Sequence, residues 1–303
     1  MEKKSPLLSI VFITMNRKDQ LIEAIKSCFA AILPTGTEFI IIDNNSSDGT
    51  STEVKKLFVD NGNYKFIYKY MNENVGVGNG RGEGFNEAQG KYIYFMDDDA
   101  VIPEDMQQVF FIKSLEYLEK NSNVASITTR IKDIVLKCDR GIDQSKTKID
   151  GKSIAFKYLG GSHFLRKNAF EKPLYFDIKY GGEEFAPSII VQDRGFYNVY
   201  FDDLYIIHKP IINKWVSGTK SMEDVLIKGC AVEYATKRVL YPTIYMPILF
   251  LAYCVRATKY LGSKVAKKEC NRLAHEIVLR NKHNKVKVST VIKLYKEFGL
   301  TVF

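Results

Sequence analysis

Short apolar runs alternate with segments of helical spacing through the first hundred residues. Residues 8–14, 38–42, 65–70 and 92–96 read as strands, and residues 19–31 place apolar side chains along one face of a helix. That alternation predicts βαβ units and a mainly parallel sheet. Residues 76–90 begin glycine-rich and continue as a helix, residues 106–118 form a helix after Pro103, and residues 124–130 form a further strand. Residues 139–157 are polar and Lys/Asp-rich with no clear period, which predicts a variable loop or small insertion. Beyond them come a glycine pair, a helix near 184–193 and a strand pair through 197–207 that ends at His208.

Charge divides the chain. Residues 1–208 hold 26 Lys/Arg against 29 Asp/Glu, whereas residues 209–303 hold 18 against 6, so the basic character belongs to the C-terminal third. Basic segments raise nucleic acid as a partner, but here they flank the apolar stretch 239–255, which argues against it. That stretch has 17 uncharged residues interrupted by Pro242 and Pro247, short for a spanning helix. It reads either as a surface-lying helix pair with Lys/Arg toward an anionic membrane surface, or as a buried core helix beside a solvated basic face. Five scattered cysteines without a CxxC pair indicate neither a zinc knuckle nor a disulfide framework and fit a cytoplasmic compartment. The N-terminus lacks the long apolar region of a secretory signal, so secretion is not expected.

Active sites of open α/β sheets lie beyond the carboxyl ends of strands. Three such ends here carry Thr14 and Asn16, Asp43, and the triplet Asp97, Asp98 and Asp99, and they converge on one crevice. In extended backbone Asp97 and Asp99 point the same way and Asp98 the other, so the triplet is either an acidic turn or an Asp-x-Asp pair facing a divalent cation. Asp43 reads as a nucleotide contact or an Asx-turn cap. The run from Asn74 to Phe85 looks like a phosphate-cradling loop but matches no G-x-G-x-x-G register, and Arg81 within it suits a diphosphate. Glu183 and Glu184 form either a general base with a supporting carboxylate or an exposed helix start. His208 is a metal ligand or a satisfied strand-end histidine.

In combination, "SIVFITMNR", "IIIDNNSSDGT", Asn74-x-Gly76 with Arg81 and Gly84, "AQGKYIYFMDDD", and "GGEE" followed by Gly195 and His208 resemble the family 2 glycosyltransferases over about residues 7–210. The resemblance implies the GT-A fold, an α/β architecture with a mixed, mainly parallel sheet flanked by helices. It places a catalytic domain at residues 1–215 and a basic helical extension at 216–303. It implies inverting transfer from a UDP- or dTDP-type sugar to a saccharide or lipid-linked acceptor in polysaccharide synthesis, on the inner face of the cell membrane. Asp43 binds the base, with Thr14, Asn16 and Arg17 at the same end; Arg81, Asp97 and Asp98 also serve the nucleotide sugar. By the same resemblance Asp97, Asp99 and His208 would hold Mn²⁺ or Mg²⁺, Glu184 would be the catalytic base and Glu183 would orient the acceptor.

Residues 209–219, with Lys214 and Trp215, read as a lid or a connector, and residues 137–156 with His163 are expected near the acceptor. Three positions depart from the family pattern: Glu184 replaces the usual Asp, Ile190 stands where an Arg is common, and Ile13 where a Pro is usual. A nucleotidyltransferase would open with a Gly-rich basic loop after the first strand, and a receiver domain would carry its acidic pair there; Thr14-Met15-Asn16-Arg17 fits neither. A catalytically silent sugar-nucleotide or glycan-binding module is the remaining alternative.

Overall fold

A computed structural model of the chain describes residues 5–61, 64–179, 181–210 and 222–303. The first half alternates strand and helix: β1 (Leu8–Thr14), α1 (Lys18–Phe29), β2 (Glu38–Asp43), α2 (Thr50–Asn61), β3 (Lys65–Tyr70), α3 (Gly76–Glu87) and β4 (Tyr92–Asp97). Then follow β5 (Ala100–Val101), α4 (Phe110–Lys120), β6 (Val124–Asp133), β7 (Cys138–Asp139), β8 (Gln144–Ile149), β9 (Lys152–Ala155), β10 (Ser162–Arg166), α5 (Phe185–Asp193) and β11 (Tyr197–His208). Four helices close the chain: α6 (Met222–Leu240), α7 (Met246–Tyr260), α8 (Lys264–Arg280) and α9 (Val288–Phe298).

The sheet runs β3-β2-β1-β4-β10-β6-β11-β9-β8, with β5 paired to β11 and β7 to β6. β3, β2, β1 and β4 are parallel; β10 is antiparallel to both β4 and β6, and β6 and β11 are parallel again. Chain order reverses between β1 and β4, which aligns Ile13 with Asp97 and opens a crevice at their carboxyl ends.

Both faces of β1, β2 and β4 are covered, which is why they read as continuous apolar runs, whereas the edge strand β3 is partly exposed. Alternation then sorts the side chains. Leu8, Ile10 and Phe12 of β1 join Leu21 and Ile25 of α1 and Phe110 of α4 on one face. Val11 joins Ile42, Phe85 and Val191 on the other. Tyr94 of β4 meets Phe110, Phe111 and Phe164 at ring-centroid distances of 5.4, 5.3 and 4.4 Å. Aromatic pairs of this kind contribute about 0.5–1.5 kcal/mol each beyond buried area, which makes β4 a rigid mount for the aspartates at its end.

Three expectations change. Of the two readings of residues 139–157, the loop gives way to the small insertion: β8 and β9 form an antiparallel hairpin at the sheet edge, with β9 paired to β11. Its outward side chains meet water, so the sequence there is polar. The strand pair at 197–207 is one long strand, β11, with an irregularity between Phe201 and Tyr205 against β6. The glycine-rich run lies inside α3 rather than forming a phosphate loop. A Cβ on Gly80 would fall 2.9 Å from Ile13 Cγ2, and one on Gly84 would overlap Val11, so glycine lets the helix sit directly on β1.

The C-terminal helices share a core with the sheet domain. Ala186 and Ile189 of α5 pack with Val232 and Leu240 of α6, Leu249 of α7, Val291 of α9 and Phe303. A second cluster joins α6, α7 and α8 through Ala231, Tyr253 and Cys270. Val239, Leu240 and Tyr241 are buried, so the first part of the apolar stretch 239–255 is core.

Candidate active site

The carboxyl end of β4 delivers Asp97, Asp98 and Asp99 into the crevice. Asp97 and Asp99 meet His208, from the end of β11, so that one ligand atom from each lies within 4.8 Å of the others. His208 Nε2 is 3.1 Å from Asp99 Oδ1 and 4.0 Å from Asp97 Oδ2. Its Nδ1 donates to Asp133 Oδ2 at 2.8 Å, which leaves Nε2 facing the two aspartates. Two hard carboxylates, an imidazole and a carboxylate behind the imidazole suit Mn²⁺ or Mg²⁺. A cationic group already sits there: Arg140 Nη2 is 2.9 Å from His208 Nε2, and Nη1 is 3.6 Å from Asp97 Oδ2. β4 ends at Asp97 and Asp98 and Asp99 lie in a turn, so the alternation expected of an extended triplet does not hold there: Arg17 Nη1 contacts both Asp98 Oδ1 and Asp99 Oδ2, at 2.8 and 2.9 Å.

These contacts separate the carboxyl groups. Burial works to raise Asp97, but Arg81, Arg140 and His208 overcome it and hold its pKa down to about 2. Burial and the charge of Asp99 push Asp98 up to about 7 against the pull of Arg17.

Arg81, buried in α3, connects this cluster to the second pair of acids. Its Nη2 lies 2.7 Å from Asp97 Oδ1, and its Nη1 donates to Glu183. The guanidinium is therefore enclosed by protein carboxylates rather than open toward a diphosphate. Gly160 makes room for it, since a Cβ there would fall 2.7 Å from Arg81 Nη1; one on Gly161 would fall 2.7 Å from Asp97 Oδ2. Gly181 and Gly182 both have φ of +77°, a left-handed turn that brings Glu183 and Glu184 to the start of α5.

Neither acid is an exposed helix start. Burial raises the pKa of Glu183 against the charge of Arg81, and its Oε2 is buried with no hydrogen-bond partner among the described residues. Glu184 accepts from Lys157 Nζ at 2.6 Å; burial works to raise its pKa, but Lys157 overrides this and holds it below the usual range. The two adjacent carboxyls are thus pushed in opposite directions, burial prevailing at Glu183 and Lys157 at Glu184.

The other expected residues knit the β1 and β2 ends together. Asn16, at φ 54°, donates its backbone N–H to Ser46 Oγ at 2.9 Å and accepts Ser47 N–H on Oδ1 at 2.7 Å. Asp43 is buried, accepting Ser46 N–H at 2.7 Å and the Tyr68 hydroxyl. It is thus an Asx-turn residue, with lone pairs left over for another donor. Thr14 is buried beside it at the end of β1.

His163 is fully buried and stacked between Phe95 and Tyr158, so it lines no acceptor pocket. Lys214 and Trp215, central to the lid expectation, lie outside the described residues. Asp133, Arg140 and Lys157 were not singled out from sequence. Arg140 and Lys157 lie in or beside the stretch that reads as loop, and Asp133 lies three residues past the expected end of its strand.

The family model for glycosyl transferase family 2 matches residues 9–168, more than half of the chain. The chain belongs to that family. Among solved structures, this family 2 chain resembles S. aureus TarS 1-349 in complex with UDP-GlcNAc, with a TM-score of 0.65 at 12% identity over 97% of this chain and 88% of that one. It also resembles the mannosyltransferase PcManGT from Pyrobaculum calidifontis in complex with GDP-Man and Mn²⁺, with a TM-score of 0.60 at 12% identity over 99% and 82%. The fold is GT-A. Among curated relatives, the GalNAc(5)-diNAcBac-PP-undecaprenol beta-1,3-glucosyltransferase of Campylobacter jejuni is 24% identical over 63% of this chain and 62% of its own length. A cholesterol galactosyltransferase of Borreliella burgdorferi is 30% identical over 34% of this chain and 28% of its own. The chain therefore spans less than two thirds of these relatives.

Proposed function

We propose that this family 2 chain transfers a glycosyl group, with inversion, from a nucleoside-diphosphate sugar to a hydroxyl of a saccharide or lipid-linked saccharide in surface-glycan synthesis. One observation carries the reading. A single guanidinium, Arg81, joins Asp97 of the cation-suited cluster to Glu183, so a base held ionised at Glu184 stands next in sequence to a carboxylate tied directly to that cluster.

In this reading Glu184 takes the proton of the acceptor hydroxyl. The oxygen forms a bond to the anomeric carbon from the face opposite the donor phosphate, and the bond to the phosphate oxygen breaks with its electron pair on the departing nucleoside diphosphate. Lys157 keeps Glu184 ionised and fixes its carboxylate. Asp97, Asp99 and His208 are the residues that would hold a divalent cation, whose chemistry when bound is to offset negative charge on the diphosphate. Asp43, Thr14, Asn16 and Arg17 form the base and ribose end. An imide N–H of uracil or thymine matches the acceptor-only carboxylate of Asp43, which supports a UDP or dTDP donor.

A catalytically silent sugar-nucleotide binder is the second reading, favoured by Glu184 and Ile190 at positions where the family usually has Asp and Arg. Thermal stabilisation by a panel of UDP-, dTDP- and GDP-sugars with and without Mn²⁺ identifies the donor, because a ligand that binds only the folded state raises the Tm. The proposal expects a Mn²⁺-dependent rise with a uracil or thymine nucleotide. Stabilisation by none of the panel would refute it, and binding without donor cleavage would favour the silent module.

A further inference from the structure

Helix α7 is apolar on two opposite sides. Leu249, Tyr253 and Ala257 face inward and are buried against α6, α8 and the C-terminal core. On the far side Ile244, just ahead of the helix, continues through Ile248, Leu251 and Val255 at the i, i+4, i+7, i+11 spacing of one helical stripe. This stripe faces water: Ile244 is 74%, Leu251 64% and Val255 61% exposed, with Phe250 alongside at 56%. The sole charged residue within 241–258 is Arg256, and it turns inward to Glu233 at 2.6 Å and to the Phe303 carbonyl at 2.9 Å. Isolated exposed apolar side chains need no explanation, but an unbroken uncharged stripe along a helix marks an interaction surface.

The surroundings select the partner. Residues 234–268 contain seven Lys/Arg and no Asp or Glu. The stripe ends at exposed Lys259 and Tyr260, and the turn into α8 adds exposed Lys264, Val265 and Lys268. A second copy meeting this face would bring two such lysine sets together, which like-charge repulsion opposes. An anionic lipid surface satisfies both features: hydrocarbon for the stripe, head-group phosphates for the lysines, and the boundary between them for Tyr260. α7 has 15 residues, and no helix among those described is long and apolar enough to cross a membrane, so the fitting geometry lies in the plane of the interface.

We propose that the outer face of α7, from Ile244 to Val255, together with Lys259, Lys264 and Lys268, docks the protein on an anionic lipid bilayer. α6, whose three basic residues are matched by three acidic ones, packs in the core through Val232, Ala235 and Leu240. The proposal does not depend on glycosyl transfer, since docking is read without any donor present.

The test is co-sedimentation of the full chain with phosphatidylcholine vesicles, with and without phosphatidylglycerol. The wild type is expected to sediment with the anionic vesicles, to stay in solution with the neutral ones, and to be released by high salt. Leu251→Asp/Val255→Asp and the triple variant Lys259→Glu/Lys264→Glu/Lys268→Glu alter water-facing positions, so both should keep the wild-type circular dichroism and Tm. Each is expected to weaken vesicle binding at least about tenfold, since each lysine near an anionic surface contributes on the order of a fivefold factor. Absence of wild-type binding, or equal binding by wild type and variants, overturns the proposal. So does a dimer in light scattering that is lost in the Leu251→Asp/Val255→Asp variant, which would make the face an interface between copies.

Discussion

Lys157 Nζ lies 2.6 Å from Glu184 Oε1, and both side chains are largely sheltered from solvent. A carboxylate one methylene longer than the aspartate usual in the family is thus fixed by a cation on a different segment, which compensates for its added freedom.

Replacing Lys157 with Met removes the influence that depresses the pKa of Glu184. The pKa of the base then rises, and the acidic limb of the kcat/KM profile for donor cleavage moves to higher pH. The folded-state pKa of Glu184 lies below its unfolded value. Its contribution to stability is therefore present above the unfolded pKa and lost as the pH falls through the folded one. The Tm difference between wild type and Lys157→Met should accordingly shrink toward acid pH. An acidic limb that does not move would separate Lys157 from the base.

Asp133 accepts from His208 Nδ1 and so keeps Nε2 turned toward Asp97 and Asp99. Asp133→Asn is expected to weaken Mn²⁺ affinity about 10–100-fold, the usual cost of losing the partner behind a ligating histidine. Calorimetric Mn²⁺ titration of the donor-free protein checks this, and unchanged affinity would exclude His208 as an oriented ligand.

Gly82 and Gly84 share α3 but face different surroundings. A Cβ at Gly82 meets nothing within 4 Å, whereas one at Gly84 overlaps Val11 of β1. Gly82→Ala should stabilise by about 0.5–1 kcal/mol through helix propensity alone. Gly84→Ala should be a net loss, because overpacking of about 1–3 kcal/mol outweighs that gain. Urea unfolding of the two variants side by side separates these cases, and equal midpoints would argue against close packing of α3 on β1.

The parallel strands and the aspartates at their ends were legible because burial on both faces forces apolar runs and the crevice forces polarity where they stop. The β8–β9 hairpin was not: an edge ribbon whose outward side chains are solvated looks like a loop. The glycine run misled because the same residue permits a phosphate to approach or a helix to pack, and Gly84 against Val11 is the second case. The roles of Arg140 and Lys157 arise from contacts across the fold, with His208 and Glu184, and no local pattern announces such partners.

The central claim is that Glu184 is the base of a transfer centred on the Asp97, Asp99 and His208 cluster. Its most direct test is cleavage of the stabilising nucleotide sugar by wild type and Glu184→Gln in the presence of Mn²⁺, with the donor-induced Tm rise measured on both. The wild type should cleave the donor, and the variant should keep the Tm rise while losing about 10²–10⁴ in rate. Cleavage by Glu184→Gln near the wild-type rate would contradict the account.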